Sequence, residues 1–148
     1  MRILVDGDGA AGRDIIEKVA RHYCLDLLIF CDINHAIFSD YAEVKIVDSG
    51  FQSVDIILIN NAQKGDIVVT QDYGVAAMSL AKKGFAISPS GYIYDEENID
   101  RLLMERHIKA KIRRAGGKTT NAKKRTENDD MRLERNLSKL VESSLEDK

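Results

Sequence analysis

The residues of this chain best suited to chemistry are carboxylates at the ends of apolar runs. Ile3-Leu4-Val5 leads into Asp6-Gly7-Asp8-Gly9, and Ile67-Val68-Val69-Thr70-Gln71 leads into Asp72. An ionised group beside a buried strand is costly unless it is paired or holds a cation. Oxygen donors without His or Cys select Mg²⁺ or Mn²⁺ over Zn²⁺. Such an ion, bridging a phosphate and a water, would activate the water and stabilise charge on the leaving oxygen. Asp6, Asp8 and Asp72 are therefore candidate metal ligands, and they converge if the first and fourth strands are neighbours. Asp55, early on the helix after the third strand, is a further candidate for the same crevice, and Asp32 and Asp48 also follow strands. Taken singly, each of these acids is explained as a turn residue or helix cap, Asp72 above all. Two acids within three residues, with a third at a neighbouring strand end, favour a metal or phosphate site.

Positioning these groups is the task of five predicted strands, at about Arg2 to Val5, Leu27 to Cys31, Glu43 to Val47, Asp66 to Thr70 and Phe85 to Ser88. They alternate with amphipathic segments, a pattern of βα units and a mostly parallel sheet. Ligands bind such sheets outside the carboxyl ends of the strands. Helical periodicity covers Arg13 to Tyr23 and Val75 to Lys82. Ser53 to Ala62 reads as a helix, because Ser-x-Asp favours a helix start and a crossover is needed, although Ile56-Ile57-Leu58-Ile59 alone also fits a strand. After Pro89 and the turn Ser90-Gly91, a short extended Tyr92-Ile93-Tyr94 precedes a long helix. That helix is capped by Asp95, carries Ile99, Leu102, Leu103 and Ile108 on one face, and ends near Arg114 at Gly116-Gly117. The division expected is an α/β domain over 1–115, a basic polar loop over 116–128 and a C-terminal helix over 129–148. The last helix, with Met131, Leu133, Leu137, Leu140 and Val141, would pack on the domain or on a partner.

A chain of 148 residues suits one hydrophobic core, and 44% apolar with 31% charged residues is the composition of a soluble globular protein. No apolar stretch approaches the roughly 20 residues of a membrane span, and the N-terminus does not read as a secretory signal, so a cytoplasmic protein is expected. Cys24 and Cys31 lack partners at zinc spacing and read as reduced core thiols. The net charge of −2 conceals an asymmetry: between Arg101 and Arg125 stand ten basic residues and one acid, Glu105. A basic tract beside an acidic cleft suits a polyanion held by the tract while metal ions neutralise the cleft. Arg113, Arg114, Lys118, Lys123 and Lys124 are the candidate phosphate contacts, and the competing explanation is a solvated helix face and linker.

Other reactive types carry less. His22 and His35 have no Ser or Cys partner at diagnostic spacing, and no Gly-Lys-Ser/Thr follows Gly7, Gly9 and Gly12, which excludes a Walker loop. Tyr92 and Tyr94 suit base stacking but are better explained as strand packing.

Four blocks, Val5-Asp6-Gly7-Asp8-Gly9, Gly50-Phe51-Gln52-Ser53-Val54-Asp55, Gly65-Asp66-Ile67-Val68-Val69-Thr70-Gln71-Asp72 and Arg114-Ala115-Gly116-Gly117-Lys118-Thr119, closely resemble the YaiI/YqxD family, whose members look like PIN-type nuclease domains. The blocks span essentially the whole chain in order, and they specify the family more narrowly than an activity. The resemblance implies a three-layer α/β fold with sheet order 3-2-1-4-5 and a divalent-metal cluster that hydrolyses RNA. Asp6, Asp8, Asp55 and Asp72 map onto its ligands. Where the family usually has Asp-Ala-Asp-Ala-Cys-Pro, this chain has Asp6-Gly7-Asp8-Gly9-Ala10-Ala11, which excludes thiol chemistry at that turn. Ile56 stands where a second acid often follows the one matched by Asp55, and Asn121-Ala122 replaces a usual Gly-Pro.

Two other classes compete with a metal-dependent ribonuclease. In a haloacid-dehalogenase-like phosphatase, Asp6 and Asp8 would be nucleophile and general acid, but Ala10 replaces the Thr or Val of that motif and Gly65-Asp66 precedes its strand. In a non-catalytic RNA-binding module, the basic tract would bind and the aspartates would be a relic. In the favoured reading Asp6 and Asp72 bind the metal, and Asp8 and Asp55 bind it or orient the water.

Overall fold

The computed structural model describes residues 1–7, 11–35, 37–48, 53–117 and 124–146. Six strands, β1 (Arg2–Asp6), β2 (Asp26–Asp32), β3 (Glu43–Val47), β4 (Ile67–Val69), β5 (Phe85–Ile87) and β6 (Ile93–Tyr94), form one sheet in the order β3-β2-β1-β4-β5-β6. The first five are parallel, in the order that the resemblance implies. The sixth corrects the expected count of five. Ser88 N donates to Tyr92 O and Gly91 N to Ser88 O, so a tight turn with Gly91 at φ 89° folds the extended Tyr92-Ile93-Tyr94 back antiparallel on β5.

Five α-helices, α1 (Arg13–His22), α2 (Val54–Asn61), α3 (Tyr73–Ala81), α4 (Glu96–Arg114) and α5 (Glu127–Glu146), cover the two faces. Alternation along the strands decides which helix each side chain meets. Ile3, Val5, Leu27, Ile29, Ile67 and Val69 pack with Ile16, Val19 and Ala20 of α1 and with Leu133, Leu137, Leu140 and Val141 of α5. Leu4, Leu28, Phe30 and Val68 face the other way, onto Val54, Leu58 and Ile59 of α2 and Val75 of α3. The ambiguous Ile56-Ile57-Leu58-Ile59 run is helical because α2 carries the crossover between β3 and β4. Its Leu58 and Ile59 are buried, whereas Ile56 is exposed. Among the described residues, no helix is long and apolar enough to cross a membrane.

The last helix packs on its own chain. Leu133, Leu137, Leu140 and Val141 recur at one helical face and are buried against α1. Its entry is fixed where α5 meets the β5–β6 turn: Arg125 Nη1 donates to Pro89 O (2.6 Å), Arg125 Nε to Asp130 (2.8 Å) and Asn136 Nδ2 to Gly91 O (2.6 Å). Asp129 accepts from Thr126 N at 2.8 Å, and that backbone bond, followed by its bond from Arg132, holds its carboxyl below the ordinary carboxylate range. The helix begins at Glu127, so the expected polar loop is shorter at that end.

Some expected core positions are outside the core. Ile108 on α4 is exposed, because α3 covers only the first part of the longer α4; Ile99 is buried and Leu102 and Leu103 are partly buried, while Met104, Ile108 and Ile112 face solvent. Met131 is exposed before the α5 interface begins. Cys31 is buried in β2, but Cys24 is exposed, in the left-handed turn after α1 (φ 56°), so only one of the two thiols belongs to the core.

A Cβ added at Gly91 would lie 2.5 Å from the backbone of Arg132 and Leu133. Gly91→Ala therefore combines a strained φ with a backbone clash that no side-chain rotation relieves. It is expected to destabilise the protein by about 2 kcal/mol or more and to lower the thermal midpoint measurably. Gly65→Ala, also at positive φ but with open space around it, should cost less.

Candidate functional site

Parallel pairing of β1 with β4 aligns Val5 with Val69, and the strands end side by side at Asp6 and Thr70. The Thr70 side chain is fully buried. Its Oγ1 donates to Asp6 Oδ2 at 3.4 Å and accepts from the backbone N–H of Asp72 at 3.0 Å. One hydroxyl thus ties the two sequence-predicted carboxylate positions together. Asp72 caps α3: its Oδ1 accepts from Gly74 N (2.8 Å) and Val75 N (3.2 Å). Arg106 Nη1 of α4 approaches the same oxygen at 3.8 Å. The contacts of the Asp72 carboxylate with Gly74, Val75 and Arg106 all fall on Oδ1.

Tyr94 of β6 closes the floor of this region. It is buried, and its hydroxyl donates to Thr70 O at 3.2 Å. Burial, reinforced by the neighbouring Tyr73, Tyr92 and Asp72, raises its pKa well above the ordinary tyrosine value, so the hydroxyl keeps its proton and remains a donor.

Of the other sequence candidates, Asp55 lies in the first turn of α2, on the sheet face that also carries Leu4 and Val68, and its Oδ1 accepts from Ile56 N at 3.0 Å. Asp32 ends β2 and accepts from Asn34 N at 2.6 Å, the local turn bond anticipated for a post-strand Asp. Asp48 is exposed after β3. Asp8 lies outside the described residues, as do Lys118 and Lys123. His35 is exposed in a short 3₁₀ turn, Ile33–His35, and His22 is exposed at the end of α1.

No group of three or more His, Cys, Asp or Glu side chains able to hold a metal occurs among the described residues. Mg²⁺ does not require one. It is usually held by one or two carboxylates and completes its shell with waters and substrate phosphates. Asp6 and Asp72, at adjacent strand ends with oxygen donors only, fit an ion of that kind. Gly7 keeps the turn beside Asp6 compact: its N–H donates to Phe30 O (2.8 Å), and an added Cβ would lie 2.8 Å from that oxygen.

The basic tract divides into two parts. Arg106, Lys109 and Arg113 recur at i, i+3 and i+7 and so share the α4 face that Arg106 turns towards Asp72. Arg113 and Arg114 are exposed, about 11 Å along the axis beyond Arg106 at 1.5 Å per residue, and Lys124 is exposed before α5. Arg125 instead serves as the clamp described above. Sequence reasoning did not single out Thr70, Arg101 or Arg106, and it treated Tyr92 as packing although the residue is 39% exposed. The visible signal for Thr70 was a hydroxyl two residues before a capping Asp.

A phosphatase reading needs a late acid near Asp6. Asp66 is instead at the opposite end of β4, buried and locked to Arg2: its carboxylate accepts from Arg2 Nη2 (2.7 Å), Arg2 N (3.1 Å) and Gln63 N (2.9 Å). It pins the start of β1 to the start of β4.

Comparison with known proteins agrees with the motif blocks. A family model described as an uncharacterised YaiI/YqxD family matches residues 4–143. The chain belongs to the YaiI/YqxD family. It is 59% identical over 146 residues to a UPF0178 protein of Clostridium novyi, covering 99% of this chain and 98% of that one. A UPF0178 protein of Clostridium perfringens is 61% identical over 142 residues, 96% of this chain and 95% of its own. One from Alkaliphilus oremlandii is 48% identical over 145 residues, 98% of this chain and 94% of its own. Among solved structures, a mutant of Rae1 (YacP) from Bacillus subtilis aligns with a TM-score of 0.48 and 17% identity, covering 78% of this chain and 84% of that one.

Replacing Thr70 by Val keeps the volume and strands the part-buried N–H of Asp72. Thr70→Val should cost about 1–3 kcal/mol in chemical denaturation, whereas Thr70→Ser, which retains the hydroxyl, should cost less.

Proposed function

We propose that this protein is a divalent-metal-dependent phosphodiesterase acting on RNA. The observation that supports it is the pairing of Asp6 and Asp72 through the buried Thr70 hydroxyl at the carboxyl edge of the sheet. Two carboxylates at the carboxyl edge of neighbouring strands concentrate negative charge, which a divalent cation would neutralise. In this reading Asp6 and Asp72 hold Mg²⁺ or Mn²⁺, and Asp8 and Asp55 hold it or orient the attacking water. The ion, when bound, supplies Lewis-acid charge to the phosphate and acidifies the water. Thr70 fixes the Asp6 carboxylate and the Asp72 backbone, so neither has to be ordered when substrate arrives. Oδ1 of Asp72 is kept on the α3 N-terminus, leaving Oδ2 for the cation.

The α4 face carries the polyanion. Arg106, Lys109 and Arg113 form a line that starts at Asp72, and the exposed Arg114 follows at the end of the helix; Lys118, Lys123 and Lys124 belong to the same basic tract of the sequence and are proposed as further phosphate contacts. These contacts read phosphate and give no sequence preference of their own. The protein is then a cytoplasmic enzyme in which acidic strand ends do the chemistry and the basic helix supplies the grip.

The test is incubation of purified protein with a mixed RNA pool and Mn²⁺ or Mg²⁺. Cleavage that a chelator abolishes is expected, and Asp6→Asn should reduce its rate roughly a hundredfold or more without loss of RNA affinity. No metal-dependent cleavage, together with unchanged metal affinity in Asp6→Asn, contradicts the proposal. RNA binding that survives in that case would assign the protein as a non-catalytic RNA-binding module.

A further inference from the structure

A cleft of about 540 Å³ opens beyond the carboxyl ends of β4 and β5, within the size range of small-ligand sites. It shares a wall with the carboxylate edge, since Gln71 and Tyr73, which line it, flank Asp72 in the chain. Its aromatic side is preorganised. Tyr73, Tyr94 and Tyr92 pack edge to face in sequence, with centroids 6.0 and 5.7 Å apart, and Tyr94 is fixed by Thr70 O. Tyr92 is the exposed member, and its hydroxyl accepts from Arg101 Nη2 at 3.1 Å. An exposed ring held at both ends is a poor packing device and a good stacking platform. The acid in the cleft wall, Asp129, is occupied by Thr126 and Arg132.

We propose that this cleft is a nucleobase subsite, in which the Tyr92 ring stacks on one unpaired base of an RNA strand whose neighbouring phosphate lies at the Asp6 and Asp72 edge. Arg101 positions the ring through its hydroxyl and turns its remaining N–H groups to the adjoining phosphate, while Gln71 and Ser90, whose hydroxyl is held by that of the buried Ser88 at 2.9 Å, offer hydrogen bonds to base edges. A base inside a duplex cannot expose its π-face to Tyr92, so the subsite selects single-stranded segments. The inference rests on the reading of the carboxylate edge as an RNA-processing site, and it assigns specificity to residues outside the metal ligands.

The experiment measures fluorescence anisotropy of a labelled short oligoribonucleotide, single-stranded or annealed to its complement, in the presence of a chelator so that no cleavage occurs. The full-length protein is expected to prefer the single strand. Tyr92→Ala should weaken that binding ~5-fold or more, Tyr92→Phe should retain most of it, and duplex binding should change in neither. Equal affinity of wild type and Tyr92→Ala for the single strand, or no single-strand binding by wild type, overturns the subsite, as does a loss in Tyr92→Phe equal to that in Tyr92→Ala. Metal-dependent cleavage indifferent to Tyr92→Ala would remove the subsite and leave the nuclease reading standing. Tyr92-dependent binding without cleavage would do the reverse.

Discussion

The parallel pairing of β1 with β4 is the constraint on which the rest of the structure depends. Ile3, Leu4 and Val5 align with Ile67, Val68 and Val69, so both faces of the central pair are buried and a slip of one residue would turn each apolar set to the wrong helices. The amino ends of the two strands are locked by Asp66 and Arg2. At the carboxyl ends the same register leaves Asp6 beside Thr70. Asp66, buried with three hydrogen bonds, one of which is its ion pair with Arg2, serves stability. Asp6 and Asp72, at the end where ligands bind open α/β sheets, carry the proposed chemistry.

Structure and function are not separable at Asp72. As the cap of α3 it satisfies amides that would otherwise be unpaired, and the same bonds fix the carboxylate in direction. The cap and ligand explanations of a post-strand aspartate are therefore compatible: one oxygen caps, and in the proposed site the other is left for the cation. Thr70 has a similar double role, since its hydroxyl links Asp6 to the Asp72 backbone while its carbonyl receives the buried Tyr94. From Tyr94 the rigidity passes through ring contacts to Tyr92 and through Arg101 to α4, the helix that also brings Arg106 to Asp72.

Much of this was legible from residue patterns. Short β-branched runs followed by acids marked β1 and β4, Asp95 with Glu96 and Glu97 after it marked the start of α4, and Gly116-Gly117 marked its end, because each signal is local. β6 was visible only as an extended Tyr-Ile-Tyr, since two residues acquire strand identity from their partner in β5. The exposure of Ile108 and Met131 was not legible: helical period places a residue on a face, but the length of the neighbouring helix decides whether the face is covered. Tyr92 and Tyr94, two residues apart and in ring contact, differ because Tyr94 lies within β6 and packs with Ala76, Ala86 and Ile99, whereas Tyr92 precedes the strand at the turn. Thr70 was hidden for a related reason, as its importance lies in a contact across 64 residues.

The central claim is that Asp6 and Asp72 together hold a divalent cation. A crystal of the protein soaked in Mn²⁺ and measured at the manganese absorption edge tests it without reference to any substrate. An anomalous peak about 2.0–2.4 Å from carboxylate oxygens of both Asp6 and Asp72 is predicted. Manganese bound only elsewhere, or none at this edge at saturating concentration, would contradict the account.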